Sequence, residues 1–249
     1  MLEQFSRTAL LIGEDGVEKL NNSKVAIFGV GGVGSFVAEG LVRAGVQNFI
    51  LVDNDKVSLT NLNRQIHATF KTVDKYKVEV MKERILEINS KANVETFIEF
   101  YMPDNKEKIL DNSIDYIVDA IDTVTAKLEL IINANKLNIP VISCMGTGNK
   151  LDPTKLEVAD IYDTNTCPLA KVMRRELKEK GIEKLKVIYS REEPIKIEDN
   201  IECKDGVCAV KKQVPGSVSF VPSVAGMIIA GEVIKDLLGT NVLKNKELE

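Results

Sequence analysis

Residues 25–41, "VAIFGVGGVGSFVAEGL", constrain what this chain can fold into more than any other stretch. An apolar run of strand length leads into Gly29, Gly31 and Gly34, spaced G-x-G-x-x-G, and "SFVAEGLVRAG" then keeps helical spacing up to Gly45. "NFILVDND" follows as a second buried-type strand. Strand, glycine turn, helix and strand open a doubly wound, Rossmann-like parallel sheet. The first glycine permits the tight turn, the second lets a phosphate approach the backbone, and the third lets the helix sit close to the strand. Gly32 belongs to the same cradle. Asp53, 19 residues past Gly34 at the end of the second strand, is placed to accept hydrogen bonds from a ribose. A nucleotide is expected here, and the motif by itself leaves NAD, FAD and ATP open.

The rest of the chain extends the pattern. Residues 5–20 predict one or two amphipathic entry helices. In "KYKVEVMKERILEIN", Val78, Met81, Ile85 and Ile88 share one helical face. "ANVETFIEFY", "IDYIVDAID" and "IPVISCMG" read as strands, with "VTAKLELIINANKLN" a helix before the last. The second half is less regular: "KLEVADIYD" and "KLKVIYS" predict strands, and "CPLAKVMRRELKEKGI" a helix stopped at Gly181. Residues 192–213 read as a mobile loop. "SVSFVPSVAGMIIAGEVIKDLLG" predicts a strand and then a helix whose Gly226, Ala230 and Gly231 permit close packing on the sheet or on another subunit. The fold class is therefore α/β, parallel in its N-terminal half and more mixed or antiparallel in its C-terminal half. One domain spans 1–249, divided into a nucleotide-binding half (1–149) and a second half (150–249).

Composition narrows the function classes. At 44% hydrophobic and 28% charged, 249 residues supply an ample core. The net charge of −4 gives no global basic field. No signal peptide is expected, and no apolar run approaches the roughly 18 residues of a membrane helix. Four sparse cysteines (Cys144, Cys167, Cys203, Cys208) suit reduced thiols in a cytoplasm.

A polar cluster narrows the nucleotide. Asp53 and Asp55 end the second strand; Asn61, Arg64 and Gln65 lie on the loop beyond it; Lys77 opens the next helix; Asp119 and Asp122 end "YIVDAID". All are expected at the carboxyl edge, where ligands bind in such sheets. Hydride transfer wants an apolar nicotinamide slot and has no need of two cations facing several carboxylates. A triphosphate attacked at its α-phosphorus does need them: Arg64 offers a planar fork, Lys77 a point charge, and Asp122 an oxygen ligand for Mg²⁺.

"GVGGVGS", "LVDNDKVSLTNLNRQ", "DKYKVEVMKERILEIN" and "DAIDTVTAK" together resemble the ThiF/MoeB-type, ubiquitin-activating-enzyme-like adenylating superfamily over residues 5–148. The resemblance implies ATP-dependent adenylation of a carboxylate, with Asp53 on the ribose, Asn61, Arg64 and Lys77 on the phosphates, and Asp122 on magnesium. It also implies a homodimer, in which Arg7 of "QFSRTALL" reaches the neighbour's site; a solvated arginine on an entry helix accounts for the same residue. Sulfur-carrier-activating members commonly hold zinc through two C-x-x-C pairs. This chain has none, and Cys203-x₄-Cys208 has the wrong spacing, so zinc is not expected.

"NRQIHA", "YMPDN", "GNKLDPT" and "CPLAKVMRREL" are instead similar to the tRNA threonylcarbamoyladenosine dehydratase branch, across nearly the full chain. That likeness implies adenylation of the threonyl carboxylate on a modified adenosine, followed by ring closure with loss of AMP. The alternative is activation of the C-terminal carboxylate of a ubiquitin-like sulfur carrier. An NAD-dependent oxidoreductase and a non-catalytic nucleotide-sensing scaffold are the readings from other classes. Residues 171–191 hold eight basic residues against three acids, and Lys171, Arg174, Arg175 and Lys178 are the candidate RNA contacts. A solvated helix with internal ion pairs explains the same charges. Cys167, at a helix start before Pro168, is expected to be dispensable, because ring closure on the substrate needs no covalent enzyme intermediate; a sulfur-handling role with a protein partner is the alternative. Cys144 is expected in the core, and His67 either near the site or in a structural role.

Overall fold

In the computed structural model, residues 3–102, 109–197, 201–204, 207–210 and 215–239 are described, 201–204 and 207–210 by backbone alone. A helix kinked at Gly13, α1 (Ser6–Asn22), leads into β1 (Lys24–Phe28), α2 (Gly34–Ala44), β2 (Asn48–Val52), α3 (Lys77–Ile88) and β3 (Asn93–Phe97). Next come β4 (Tyr116–Asp119), α4 (Val124–Lys136), β5 (Val141–Cys144), β6 (Leu156–Asp160), α5 (Pro168–Glu179) and β7 (Lys186–Ser190). Short strands β8 (Ile201–Lys204) and β9 (Val207–Val210) precede α6 (Phe220–Leu238).

Seven strands form one sheet in the order β3-β2-β1-β4-β5-β7-β6. Every neighbouring pair is parallel except β6 with β7. This is the expected doubly wound sheet, with its mixed part in the C-terminal half.

The strands alternate their apolar residues between two faces, as a sheet covered on both sides requires. Val25, Ile27, Phe49, Leu51 and Val118 pack on one face with Val37 and Leu41 of α2, Met81 and Ile85 of α3, and Ile229 and Val233 of α6. Ala26, Phe28, Ile50, Val52 and Ile117 pack on the other with Leu130 and Ala134 of α4. Leu177 and Met173 of α5 join Val187 and Tyr189 in a third cluster.

Gly226 and Ala230 of α6 face α2, and a Cβ on Gly226 would lie 2.6 Å from the Val33 carbonyl oxygen. A Cβ on Gly231 meets nothing within 4 Å, so only two of the three small residues serve this packing.

Two local expectations fail. Residues 215–218 form no strand; α6 starts directly at Phe220 and carries Pro222 in its first turn, where the missing N–H costs nothing. Residues 192–213 are not a loop throughout. β8 and β9 pair antiparallel with Cys203 opposite Cys208, and Asp-Gly, the dipeptide two-residue hairpins favour, separates them in the sequence. The start of the segment is also tied down: Glu192 accepts the backbone N–H groups of Leu151 and Asp152, and Ile195 N–H donates to the Asn149 carbonyl. The expected mobility of residues 198–200, 205–206 and 211–213 lies outside the described residues.

Candidate functional site

Strand register builds the site's floor. Phe28 is level with Val52 on one side and Asp119 on the other, so the residues after them, Gly29, Asp53 and Ala120, leave the sheet together. Gly29 has φ 86°, and a Cβ there would lie 2.6 Å from the Ala120 carbonyl oxygen. At Gly34 a Cβ would fall 1.9 Å from the Gly29 carbonyl oxygen, so α2 can begin this close to β1 only without a side chain. Around Gly31 the nearest atom to a new Cβ is Gln65 Nε2 at 3.9 Å, which leaves an open approach to the backbone. Gly34→Ala should therefore cost ~3 kcal/mol or more of stability in urea unfolding, at or beyond the upper end of overpacking penalties. Gly31→Ala should keep wild-type stability and lose ATP affinity, measured by nucleotide titration.

The cleft above this floor has a volume of about 470 Å³. Its lining includes Gly29, Gly31, Gly32, Asp53, Asp55, Asn61, Arg64, Gln65, Lys77 and Asp122, so the predicted ATP contacts other than Gly34, which lies under the floor against Gly29, converge on one cavity. Asp53 accepts the N–H groups of Val30 (2.7 Å) and Asp55 (2.8 Å), which braces the glycine turn against β2. Burial pushes its carboxyl above the ordinary range, against the pull of the Lys77 ammonium and the two N–H donors. Lys77 is buried and not a free cation: its Nζ lies 2.6 Å from Asp55 and 3.9 Å from Asp53.

Arg64 donates through Nη1 to the Thr60 carbonyl and to Asn63 Oδ1. Asn61 spends its Oδ1 on the Ser58 N–H, closing the short 3₁₀ turn that carries the loop. Gln65 is buried with its Oε1 unpartnered among the described residues. Asp122 is exposed at the cleft, its carboxylate accepting from the Thr123 hydroxyl at 3.2 Å. Arg7 is exposed on the first turn of α1 and outside this lining.

Two expectations need correction. Asp119 does not offer its carboxylate to a ligand: fully buried, it pairs with Lys127 Nζ at 2.9 Å and accepts from Ser143 Oγ at 2.5 Å. Arg174 turns back to the carbonyl and hydroxyl of Thr164, and Arg175 pairs with Glu176, so only Lys171 and Lys178 of the four predicted RNA contacts lack such ties among the described residues. The sulfur-handling alternative for Cys167 finds no support, because the residue is 2% exposed beside Met145, Ala170 and Met173, out of reach of an acyl group arriving from solvent. Cys144 is in the core as expected, its thiol pushed up to about 12 by burial.

Sequence reasoning missed the other half of the lining. Phe28, Val52, Phe100, Tyr101, Ile121 and Ala126 supply an apolar wall, and Thr147, Ser217 and Pro222 arrive from later in the chain. Asn63 Nδ2 donates to the Ser217 carbonyl and so pins the arginine loop to the start of α6. "EFYMPDN" was the available signal, because aromatics just past a strand's carboxyl end sit where a base would lie.

His67 is buried, with neither ring nitrogen hydrogen-bonded among the described residues. Burial first, then the charges of Lys77 and Arg84, lower its pKa from 6.5 to about 4. The unfolded imidazole takes up a proton below pH 6.5 and the folded one only near 4. Stability is thus fully present above 6.5 and lost as pH falls, by about 2 kcal/mol at pH 5. Unfolding free energies from urea titrations at pH 7.5 and 5 should differ by that amount more in the wild type than in His67→Leu.

The model of the ThiF family matches residues 5–248. The chain belongs to the ThiF family. Within that family it is 48% identical over 243 residues to tRNA threonylcarbamoyladenosine dehydratase of Bacillus subtilis (strain 168), covering 96% of each chain. Its fold matches Escherichia coli tRNA N6-threonylcarbamoyladenosine dehydratase, TcdA, in complex with AMP at a TM-score of 0.84 and with ATP at 0.83. Both matches are at 32% identity and cover 95% of this chain and 94% of that one. The ThiF assignment agrees with the cleft's division into an apolar wall and a charged, glycine-floored half.

Proposed function

We propose that this protein is an ATP-dependent tRNA threonylcarbamoyladenosine dehydratase. The observation that carries the reading is the placement of Arg64, Lys77 and Asp122 around one cleft with the glycine turn and Asp53; near-full-length similarity to a protein of that name supports it. The adenine takes the wall of Phe100, Tyr101 and Ile121, the ribose reaches Asp53, and the phosphates lie over Gly31 and Gly32. Arg64 and Lys77 draw charge off the phosphates as the threonyl carboxylate oxygen attacks the α-phosphorus and pyrophosphate leaves. A nucleophile already on the threonylcarbamoyl group then attacks the activated carbonyl, closes the ring and expels AMP.

Mg²⁺ fits this site as a hard ion that one exposed carboxylate, Asp122, would hold together with phosphate oxygens, and when bound it would stabilise charge on the departing pyrophosphate. Among the described residues no group of three or more His, Cys, Asp or Glu forms a separate metal cage. The active form is a homodimer, in which the exposed Arg7 reaches the second copy's cleft, and the compartment is the cytoplasm. ATP sits on the 1–149 side, and the second copy and the tRNA beyond its modified loop engage the 150–249 side. Among the described residues no helix is long and apolar enough to cross a membrane.

ATP–pyrophosphate exchange tests the reading. Exchange should require tRNA carrying threonylcarbamoyladenosine. Exchange driven by a ubiquitin-like carrier protein and indifferent to that tRNA would favour the sulfur-carrier reading instead, and a sulfur-handling partner would then have to work without Cys167 at the surface.

A further inference from the structure

We propose that the crossover between β2 and α3 is the surface that holds the RNA loop bearing the modified adenosine, with Phe70 as a base-stacking platform and Lys56, Lys71 and Lys75 as phosphate contacts. This rests on the tRNA reading above and adds where the RNA lies.

Phe70 is 83% exposed, an unusual position for a phenyl ring. The chain around it holds it out. Thr72 N–H donates to the Thr69 carbonyl at 3.0 Å, Thr69 N–H to Thr72 Oγ1 at 2.8 Å, and Thr72 Oγ1 to the His67 carbonyl at 2.9 Å. These bonds close a tight turn with Phe70 and Lys71 at its tip. The base of the crossover is zipped as well: Val57 N–H reaches the Lys75 carbonyl, and Asp74 N–H the Val57 carbonyl, both at 2.9 Å. Lys56 Nζ sits 5.0 Å above the Tyr76 ring, so one more cation and one more exposed aromatic are fixed side by side.

Charge points to a polyanion. The crossover, residues 53–76, carries Lys56, Arg64, Lys71 and Lys75 against Asp53, Asp55 and Asp74; Asp53 and Asp55 lie in the cleft with Lys77, which leaves Asp74 as the acid among the outer lysines. An exposed aromatic beside lysines matches how unpaired RNA bases are held, by stacking on a ring while the backbone meets cations. Continuity with the cleft favours this surface over α5. Arg64 and Gln65 of the ATP site belong to the same crossover and Lys77 opens the helix it leads into, so a base seated on Phe70 is in a fixed relation to the phosphates. On α5, by contrast, Arg174 and Arg175 are engaged with Thr164 and Glu176.

Binding of tRNA carrying threonylcarbamoyladenosine tests the proposal, with ATP affinity and melting temperature measured alongside. Phe70→Ala should weaken tRNA binding roughly 5- to 150-fold, the loss of one base stack. It should raise KM for tRNA more than it lowers kcat, with ATP affinity and melting unchanged. Lys71→Ala with Lys75→Ala should flatten the dependence of log K on log salt by ~0.7 for each single-strand phosphate no longer neutralised. Unchanged affinity and salt slope in both variants would overturn the proposal. So would loss of binding in Lys171→Ala with Lys178→Ala but not in the crossover variants. Failure of the underlying tRNA reading looks different, because the wild-type protein itself would then neither bind that tRNA nor form AMP with it.

Discussion

Lys77→Ala should lower the rate of pyrophosphate release by about 10²- to 10³-fold, the usual loss when one preorganised charge is removed from a transition state. The size of the effect follows from what Lys77 neighbours. Its ammonium stands between Asp55 at 2.6 Å and Asp53 at 3.9 Å. Removing it deprives the phosphates of a cation and also leaves two carboxylates facing them uncompensated. ATP affinity should therefore fall together with the rate. Stability should change far less than activity, because Asp55 is largely exposed and water can solvate it. Pyrophosphate release under saturating ATP and tRNA, set beside a thermal melt, separates the two. Near-normal turnover in Lys77→Ala would contradict the phosphate assignment.

Lys127→Ala should have the opposite profile: a large loss of stability from a residue that lines no part of the cleft. Lys127 Nζ is fully buried, 2.9 Å from Asp119, and donates to the carbonyls of Cys144 (2.8 Å) and Ile121 (3.0 Å). It clamps the carboxyl ends of β4 and β5, directly below the turn that carries Asp122. Truncation leaves a buried carboxylate without its counter-charge and two carbonyls without a donor. Breaking one side of such a pair costs about 3–5 kcal/mol. For a domain of this size that lowers the melting temperature by roughly 6–20 °C. Removing both charges, as in Lys127→Met with Asp119→Asn, should recover a substantial part of the loss, since no unpaired buried charge remains. If the single variant melts like the wild type, the pair does not hold the strand ends.

These two lysines also mark how far sequence reasoning reached. Lys77 was legible because it follows a strand, a glycine turn and a polar loop in an order that brings it to the carboxyl edge. Lys127 was not, because a lysine in "VTAKLELIIN" looks like any solvated helix position until β5 is placed beside β4. Asp119 was misjudged for the same reason: an acid at a strand's end looks available, and its partner lies eight residues on, in another element. The sheet itself was readable, since continuous apolar runs alternating with amphipathic helices allow few other arrangements. Local chemistry overruled composition in the second half. The Asp205-Gly206 pair between two short β-prone runs is a hairpin signal that a high density of charge obscured. Likewise Pro222 fits a helix's first turn better than the tail of a strand. Arg174 shows the limit of counting charges, because its guanidinium is turned back onto Thr164 and is not held out toward a phosphate.

Mass analysis of nucleosides from the tRNA of cells lacking this protein tests the central claim most directly. The account predicts loss of cyclic threonylcarbamoyladenosine with accumulation of its open, hydrolysed form, reversed by the wild-type chain and not by Lys77→Ala. An unchanged level of the cyclic nucleoside in those cells would contradict it.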